Sequence, residues 1–230
     1  MQAQDVMTTS VISVSAESPI HEVVAELLKH RISAVPVVDA SRNVVGIVSE
    51  GDLLRPEGDD RARTERPSWL QAIFAEGKVA FSKTDDRTVG SVMTRDVVTV
   101  APDTPLNEIA KLLETHRIKR VPVLRDGRIV GIISRANLLH GLANTIIEHH
   151  EPGAAKDREL RQAILKALLG LHELDTVLVN VTVNDGAVQL WGVVESDREK
   201  AAAERAVKSL PEVKSVENHL WLGPPSGIPL

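Results

Sequence analysis

Hydrophobic positions along this chain follow a helical period and then a strand period, and that succession occurs twice. Val23, Val24, Leu27 and Leu28 have the spacing of one apolar helix face. Ser18-Pro19 ahead of them marks the start, because proline suits a first helical turn. Past His30 the pattern becomes that of strands: Ala34-Val35-Pro36-Val37-Val38, a turn over Asp39 to Asn43, then Val44-Val45-Gly46-Ile47-Val48. A short β-rich stretch, Val11 to Val14, precedes the helix, and a further helix starts near Ser49. The order predicted is β-α-β-β-α.

Val6 to Leu54 is then written again from Val92 to Leu139. Val6-Met7-Thr8 returns as Val92-Met93-Thr94, Pro19 as Pro105 and His30-Arg31-Ile32 as His116-Arg117-Ile118. Val35-Pro36-Val37 returns as Val121-Pro122-Val123, and Gly46-Ile47-Val48-Ser49 as Gly131-Ile132-Ile133-Ser134. The second copy shortens the hairpin turn to Arg125-Asp126-Gly127-Arg128, where a length change is tolerated. Duplication predicts a pseudo-twofold module in which each copy covers the apolar face left open by the other, with a natural ligand position at the seam.

A different unit begins at Lys156. Leu160, Ile164, Leu168 and Leu171 form a helical stripe, and Val177 to Val183 alternates toward Asn184-Asp185-Gly186, a hairpin signal. Ala187 to Val194 returns, Asp197 to Leu210 reads as a helix, and Val213 to Leu222 as a last strand. The order is α-β-β-α-β. The predicted fold class is therefore α+β: two β-α-β-β-α repeats plus this smaller unit.

Composition narrows the chemistry. Of 230 residues 43% are hydrophobic, enough for packed cores, and the net charge of -5 argues against broad affinity for nucleic acid or anionic lipid. No cysteine occurs, which excludes disulfides, thiolate metal sites and a thiol nucleophile. Three Trp, two Phe and no Tyr leave little for base stacking. Met1-Gln2-Ala3-Gln4-Asp5 lacks the start of a secretory signal and no apolar run is long enough to span a bilayer, so a cytoplasmic location is expected. No Walker loop, HExxH or GxSxG elbow is present, and no nucleophile, base and orienter converge, so no enzyme is read here.

Gly46-Ile47-Val48-Ser49-Glu50-Gly51-Asp52 and its variant Gly131-Ile132-Ile133-Ser134-Arg135-Ala136-Asn137, together with the repeat order, resemble the CBS domain. The tandem pair resembles a Bateman module. Gly186-Ala187-Val188-Gln189-Leu190-Trp191-Gly192 and Val213-Lys214-Ser215-Val216-Glu217-Asn218 are similar to the BON domain. The boundaries read are 1–55 and 89–145 for the repeats, 56–88 for a connector, 146–156 for a linker, 157–223 for the BON-like unit and 224–230 for a tail. Trp69-Leu70, Ile73-Phe74 and Val79 suggest a short amphipathic helix in the connector. Glu148-His149-His150-Glu151 is read as linker, since adjacent histidines diverge on a helix.

A serine opening a helix presents its hydroxyl and nearby amides to an anion, and a carboxylate three residues on can accept both hydrogen bonds of a ribose diol. Ser49 and Asp52 thus suit a nucleotide, as do Ser134 and Asn137, although serines and aspartates at helix starts are ordinarily caps. The resemblance implies an adenosine nucleotide (AMP, ADP or ATP) as regulatory ligand, with no further cofactor and no metal. By carry-over, Thr8, Ile12, Ile32 and Ser33 would line the pocket of Ser134 and Asn137, and Thr94, Val98 and Ile118 that of Ser49 and Asp52, with Ile47 and Ile132 inside the motifs. Apolar residues of that set read equally as core. Lys119-Arg120 stands where the first copy has Ser33-Ala34, so basic charge beside Ser134 points to phosphate there, a solvated pair being the ordinary alternative. Asn137 lacks the family carboxylate, yet the basic pair favours the second pocket for a multiply charged nucleotide.

The function expected is that of a non-catalytic sensor whose occupancy alters a dimer or the position of the BON unit. The alternative is a scaffold acting through the BON unit, with vacant pockets. The resemblance further implies a homodimer, an unidentified protein partner, and phospholipid contact through the BON unit.

Overall fold

The structure, a computed structural model of the chain, describes residues 1–53, 87–147 and 155–223. In chain order the elements are α1 (Ala3–Val6), α2 (Ile20–Lys29), β1 (Ala34–Val38), β2 (Val44–Ser49), α3 (Glu50–Leu53), α4 (Val89–Val92), α5 (Leu106–Thr115), β3 (Arg120–Arg125), β4 (Arg128–Ser134) and α6 (Arg135–Ile147). The C-terminal elements are α7 (Ala155–Leu169), a 3-10 turn (Thr176–Leu178), β5 (Val179–Asn184), β6 (Ala187–Val194), α8 (Asp197–Lys208) and β7 (Ser215–Leu222). The connector helix read around Trp69 and the Glu148-His149-His150-Glu151 run lie outside the described residues.

Compact units do not coincide with sequence repeats. One unit is Ile12–Val97; the other joins Met1–Val11 to Val98–Leu230. The segment that opens each copy, Val6-Met7-Thr8 or Val92-Met93-Thr94, thus belongs to the unit built on the other copy's sheet. Packing explains the exchange. In the first unit Val89 is fully buried with Val23, Val35, Val37 and Val48, and Met93 packs against the same cluster. In the second, Ala3, Val6 and Met7 are buried with Ile109, Val121, Val123 and Ile133. A Cβ on Gly46 would overlap the Met93 thioether and one on Gly131 that of Met7, so the motif glycine is the seat of the exchanged methionine.

Within the first unit β1 and β2 pair antiparallel, with Ala34 opposite Ser49. Thr94 bridges Ile47, and Val14 bridges Val37. The second unit repeats this through β3 and β4, with Arg120 opposite Ser134, Thr8 bridging Ile132 and Val100 bridging Val123. The strands expected over Val11–Val14 and Val97–Val100 shrink to those single bridges at Val14 and Val100. Pro36 and Pro122 are the reason: they accept from Val14 N at 3.1 Å and Val100 N at 3.1 Å but have no N–H for the next rung.

The C-terminal unit has the predicted α-β-β-α-β order. Its sheet runs β5-β6-β7, antiparallel between β5 and β6 and parallel between β6 and β7. Asp185 (φ 46°) and Gly186 (φ 78°) form the hairpin turn, and the buried Asp157 carboxylate accepts from their amides at 3.0 and 3.1 Å. One sheet face buries Val179, Val181, Val183, Val188 and Leu190 with Leu160, Ile164, Leu168 and Val207 of the two helices. The opposite face carries Asn180, Thr182, Asn184 and Gln189, and these polar residues are buried as well. β5 meets α1 and α6 there, and His140 of α6 stacks on Trp191. Among the described residues no helix is long and apolar enough to cross a membrane.

Candidate functional site

The two motif turns have one design. Strand β2 ends at Ser49, and the carboxylate of Asp52 folds back so that its Oδ2 accepts from Ser49 N at 2.9 Å and Ser49 Oγ at 2.6 Å. Strand β4 ends at Ser134, and Asn137 Oδ1 accepts from Ser134 N at 2.8 Å and Ser134 Oγ at 2.7 Å. A side chain three residues into the helix closing on the first amide is the logic of a capping box. The Ser49 amide and hydroxyl are turned to Asp52, and Glu50 N donates to the Ser33 carbonyl at 3.0 Å.

The turns then diverge. The Thr94 hydroxyl donates to Asp52 Oδ1 at 3.2 Å, which places two hydroxyls on one half-exposed carboxylate, with Thr94 itself exposed. Asn137 is only 4% exposed. Its amide nitrogen donates to the Val6 carbonyl at 2.9 Å and to Thr8 Oγ1 at 3.3 Å. With two protons donated and Oδ1 accepting twice, every hydrogen-bonding position of the Asn137 amide is filled. A carboxylate at 137 would face the Val6 carbonyl with no proton to give. The Asn137 amide is thus spent inside the protein, while Asp52 is half-buried.

Of the residues predicted for the sites, Thr8 and Ile132 come together with Ser134 and Asn137, and Thr94 and Ile47 with Ser49 and Asp52. The remaining predicted residues lie in the unit of their own repeat. Ile12 and Ile32 pack on the core of the first unit, and Ser33 adjoins Ser49 through Glu50 N. Val98 and Ile118 pack on the core of the second. Connectivity is the cause, since Ile32 and Ser33 run directly into Ala34, opposite Ser49, as Ile118 and Lys119 run into Arg120, opposite Ser134. Arg120 is half-buried at that place and Lys119 is exposed.

Sequence reasoning missed a second cluster, in which α7 grips the N-terminal segment. Arg161, 4% exposed, donates to the carbonyls of Val181 at 2.8 Å, Gln4 at 3.0 Å and Met7 at 2.6 Å. Burial pulls its pKa down to about 10, opposed by the Asp5 carboxylate, so it remains a cation at neutral pH. Arg158 pairs with the buried Asp5 at 2.8 Å and donates to Gln2 Oε1 at 3.1 Å. Nearby, Trp191 lies between two imidazoles, His140 at 4.8 Å and His219 at 4.1 Å between ring centroids. The apolar stripe of α7 was legible, but no sequence signal says that Arg161 points into the protein.

Family models match this architecture: the CBS domain model matches residues 3–57 and 89–144, and the BON domain model matches residues 156–224. The chain belongs to the CBS-domain family, with a tandem pair followed by a C-terminal BON domain. Its CBS pair is similar to an uncharacterised protein of Methanocaldococcus jannaschii, MJ1426, at 31% identity over 154 residues, covering 62% of this chain and 91% of that one. It is also similar to the chloroplastic CBS-domain protein CBSX2 of Arabidopsis thaliana, at 31% identity over 121 residues, covering 49% of this chain and 50% of that one. A crystal structure of CBSX2 matches with a TM-score of 0.52 at 24% identity, over 64% of this chain and 97% of that one. A structure of CBSX2 in complex with AMP matches at 27% identity and a TM-score of 0.48, over 64% and 98%. The chain spans about half the length of the plant relative.

Proposed function

We propose that the protein is a regulatory sensor whose CBS pair takes an adenosine-containing ligand, with the ribose held at the turn formed by Ser49, Asp52 and Thr94. The observation that carries the reading is the half-exposed Asp52 carboxylate with the hydroxyls of Ser49 and Thr94 gathered on its two oxygens. A carboxylate can accept both hydrogen bonds of a vicinal diol once the Ser49 and Thr94 hydroxyls rotate away from it toward the ligand. The ordinary helix-cap reading explains the bonds to Ser49, but not the added Thr94 contact or the exposure. Membership of the CBS family supports the same ligand class, and AMP is the first probe because the relative CBSX2 is described in complex with it. Ligand at this turn stiffens the segment carrying Thr94, and the altered balance between arrangements of the chain is read out by a partner.

Titration calorimetry on the full chain with AMP, ADP, ATP and S-adenosylmethionine tests this. Heat is expected with at least one of them, Asp52→Ala weakens it by about tenfold or more, and 2′-deoxy-AMP binds correspondingly worse than AMP. Absence of heat and of any thermal stabilisation with all four ligands overturns the proposal.

A further inference from the structure

The Asp52 and Asn137 turns occupy equivalent positions in the two copies, yet Asp52 is half-buried while Asn137 is only 4% exposed. What Asn137 holds is the N-terminal segment: Val6 by its carbonyl and Thr8 by its hydroxyl. That segment is fixed on its other side by the BON domain, through Arg161 on the Gln4 and Met7 carbonyls and Arg158 on Asp5. One helical turn beyond Asn137, His140 of the same helix stacks on Trp191 and lies 3.2 Å from the Asn180 amide. Ser10 and Thr176 add a hydroxyl pair at 2.8 Å. The His140 contact reaches the polar sheet face of Asn180, Thr182 and Asn184, each at least nine-tenths buried. Polar side chains on the sheet face of an isolated domain stand in water, so the burial of these marks where α1 and α6 cover the BON sheet.

We infer that the second CBS repeat has exchanged its ribose position for the anchoring of the BON domain, with Asn137 as the positioning residue. The docked partner is the BON domain of the same chain, and the connecting piece is residues 2–8. The first repeat keeps the carboxylate at this position, so one ribose position remains per chain. That last clause rests on the proposed function; the anchoring does not.

The natural chain has no cysteine, so a single thiol reports the docking. Thr182, fully buried on the docked face, is replaced as Thr182→Cys in the full chain, and its modification by an aromatic disulfide is timed. Adding Asn137→Asp removes both donations to the N-terminal segment and is expected to speed modification by about tenfold or more. Unchanged rates overturn the anchoring. If Asn137→Asp does not fold, Asn137→Ser, which loses the same donations without adding charge, is measured in its place. Calorimetry with AMP is the second arm: one equivalent per chain is expected, and a second equivalent that disappears in Ser134→Ala overturns the closed second turn. If none of AMP, ADP, ATP and S-adenosylmethionine binds, the proposed function fails, and the thiol rates then decide the anchoring by themselves.

Discussion

Arg161 donates to the main-chain carbonyl of Met7 at 2.6 Å across 154 positions of sequence. Met7 in turn lies over Gly131, and its neighbour Thr8 bridges Ile132. The BON helix α7 is thereby joined to the strand that leads into Ser134 by a short chain of contacts.

Replacement of Arg161 tests the weight of that junction. Arg161→Met keeps much of the volume but leaves three carbonyls without their donor, at a cost of roughly 3 kcal/mol or more. Arg161→Lys does not restore stability, because an ammonium cannot span three acceptors in a planar fork. Urea unfolding followed by circular dichroism measures both, and a midpoint within error of the parent for either would contradict the assigned role.

The stack of His140, Trp191 and His219 makes this region sensitive to acid. Burial lowers the pKa of His140 below its ordinary 6.5, and the positive charge of His219 lowers it further. Folded protein therefore binds that proton less readily than unfolded protein. The stability involved is fully present above about pH 6.5 and drains away as pH falls toward and through the lowered value. Glu217, 3.3 Å from His219, and the Asn180 amide are the neighbouring polar groups. Stability measured from pH 8 to 5 should fall more steeply in the parent than in His140→Gln; parallel curves would exclude the imidazole as the cause.

Gly192 has φ 129°, and a Cβ there would overlap the carbonyl oxygen of Leu178. Gly192→Ala is expected to destabilise the BON domain by about 2 kcal/mol or more, from backbone strain and the displaced edge of β5. Thermal melting of the variant is the check.

Asp157 closes the β5–β6 turn with two charge-assisted bonds and is 8% exposed. Asp157→Ala should cost about 2–3 kcal/mol and expose the amides of Asp185 and Gly186. Hydrogen exchange at those two amides reads this directly, and unchanged protection would refute it.

Helices α2 and α5, the two hairpins and the α-β-β-α-β unit were all legible, because their apolar spacing and turn residues act over a few positions. The paired turns Ser49–Asp52 and Ser134–Asn137 were legible too, being closed by residues three apart. The short strands at Val14 and Val100 were over-read, since the missing N–H of a proline acts on a neighbouring strand rather than on its own segment. The different surroundings of the two turns were not legible either. Asp and Asn differ by one group, and the meaning of that difference depends on the Val6 carbonyl, 131 positions away.

Spacing and local chemistry specify elements and motif turns, since the forces concerned act within a turn of helix or across a hairpin. Exchange of the opening segments, burial of Arg161 and the inward setting of Asn137 arise from packing between segments far apart in the chain. There the fit of a methionine over a glycine and the supply of donors to otherwise unpaired carbonyls fix the outcome, and neither leaves a mark on any short stretch of sequence.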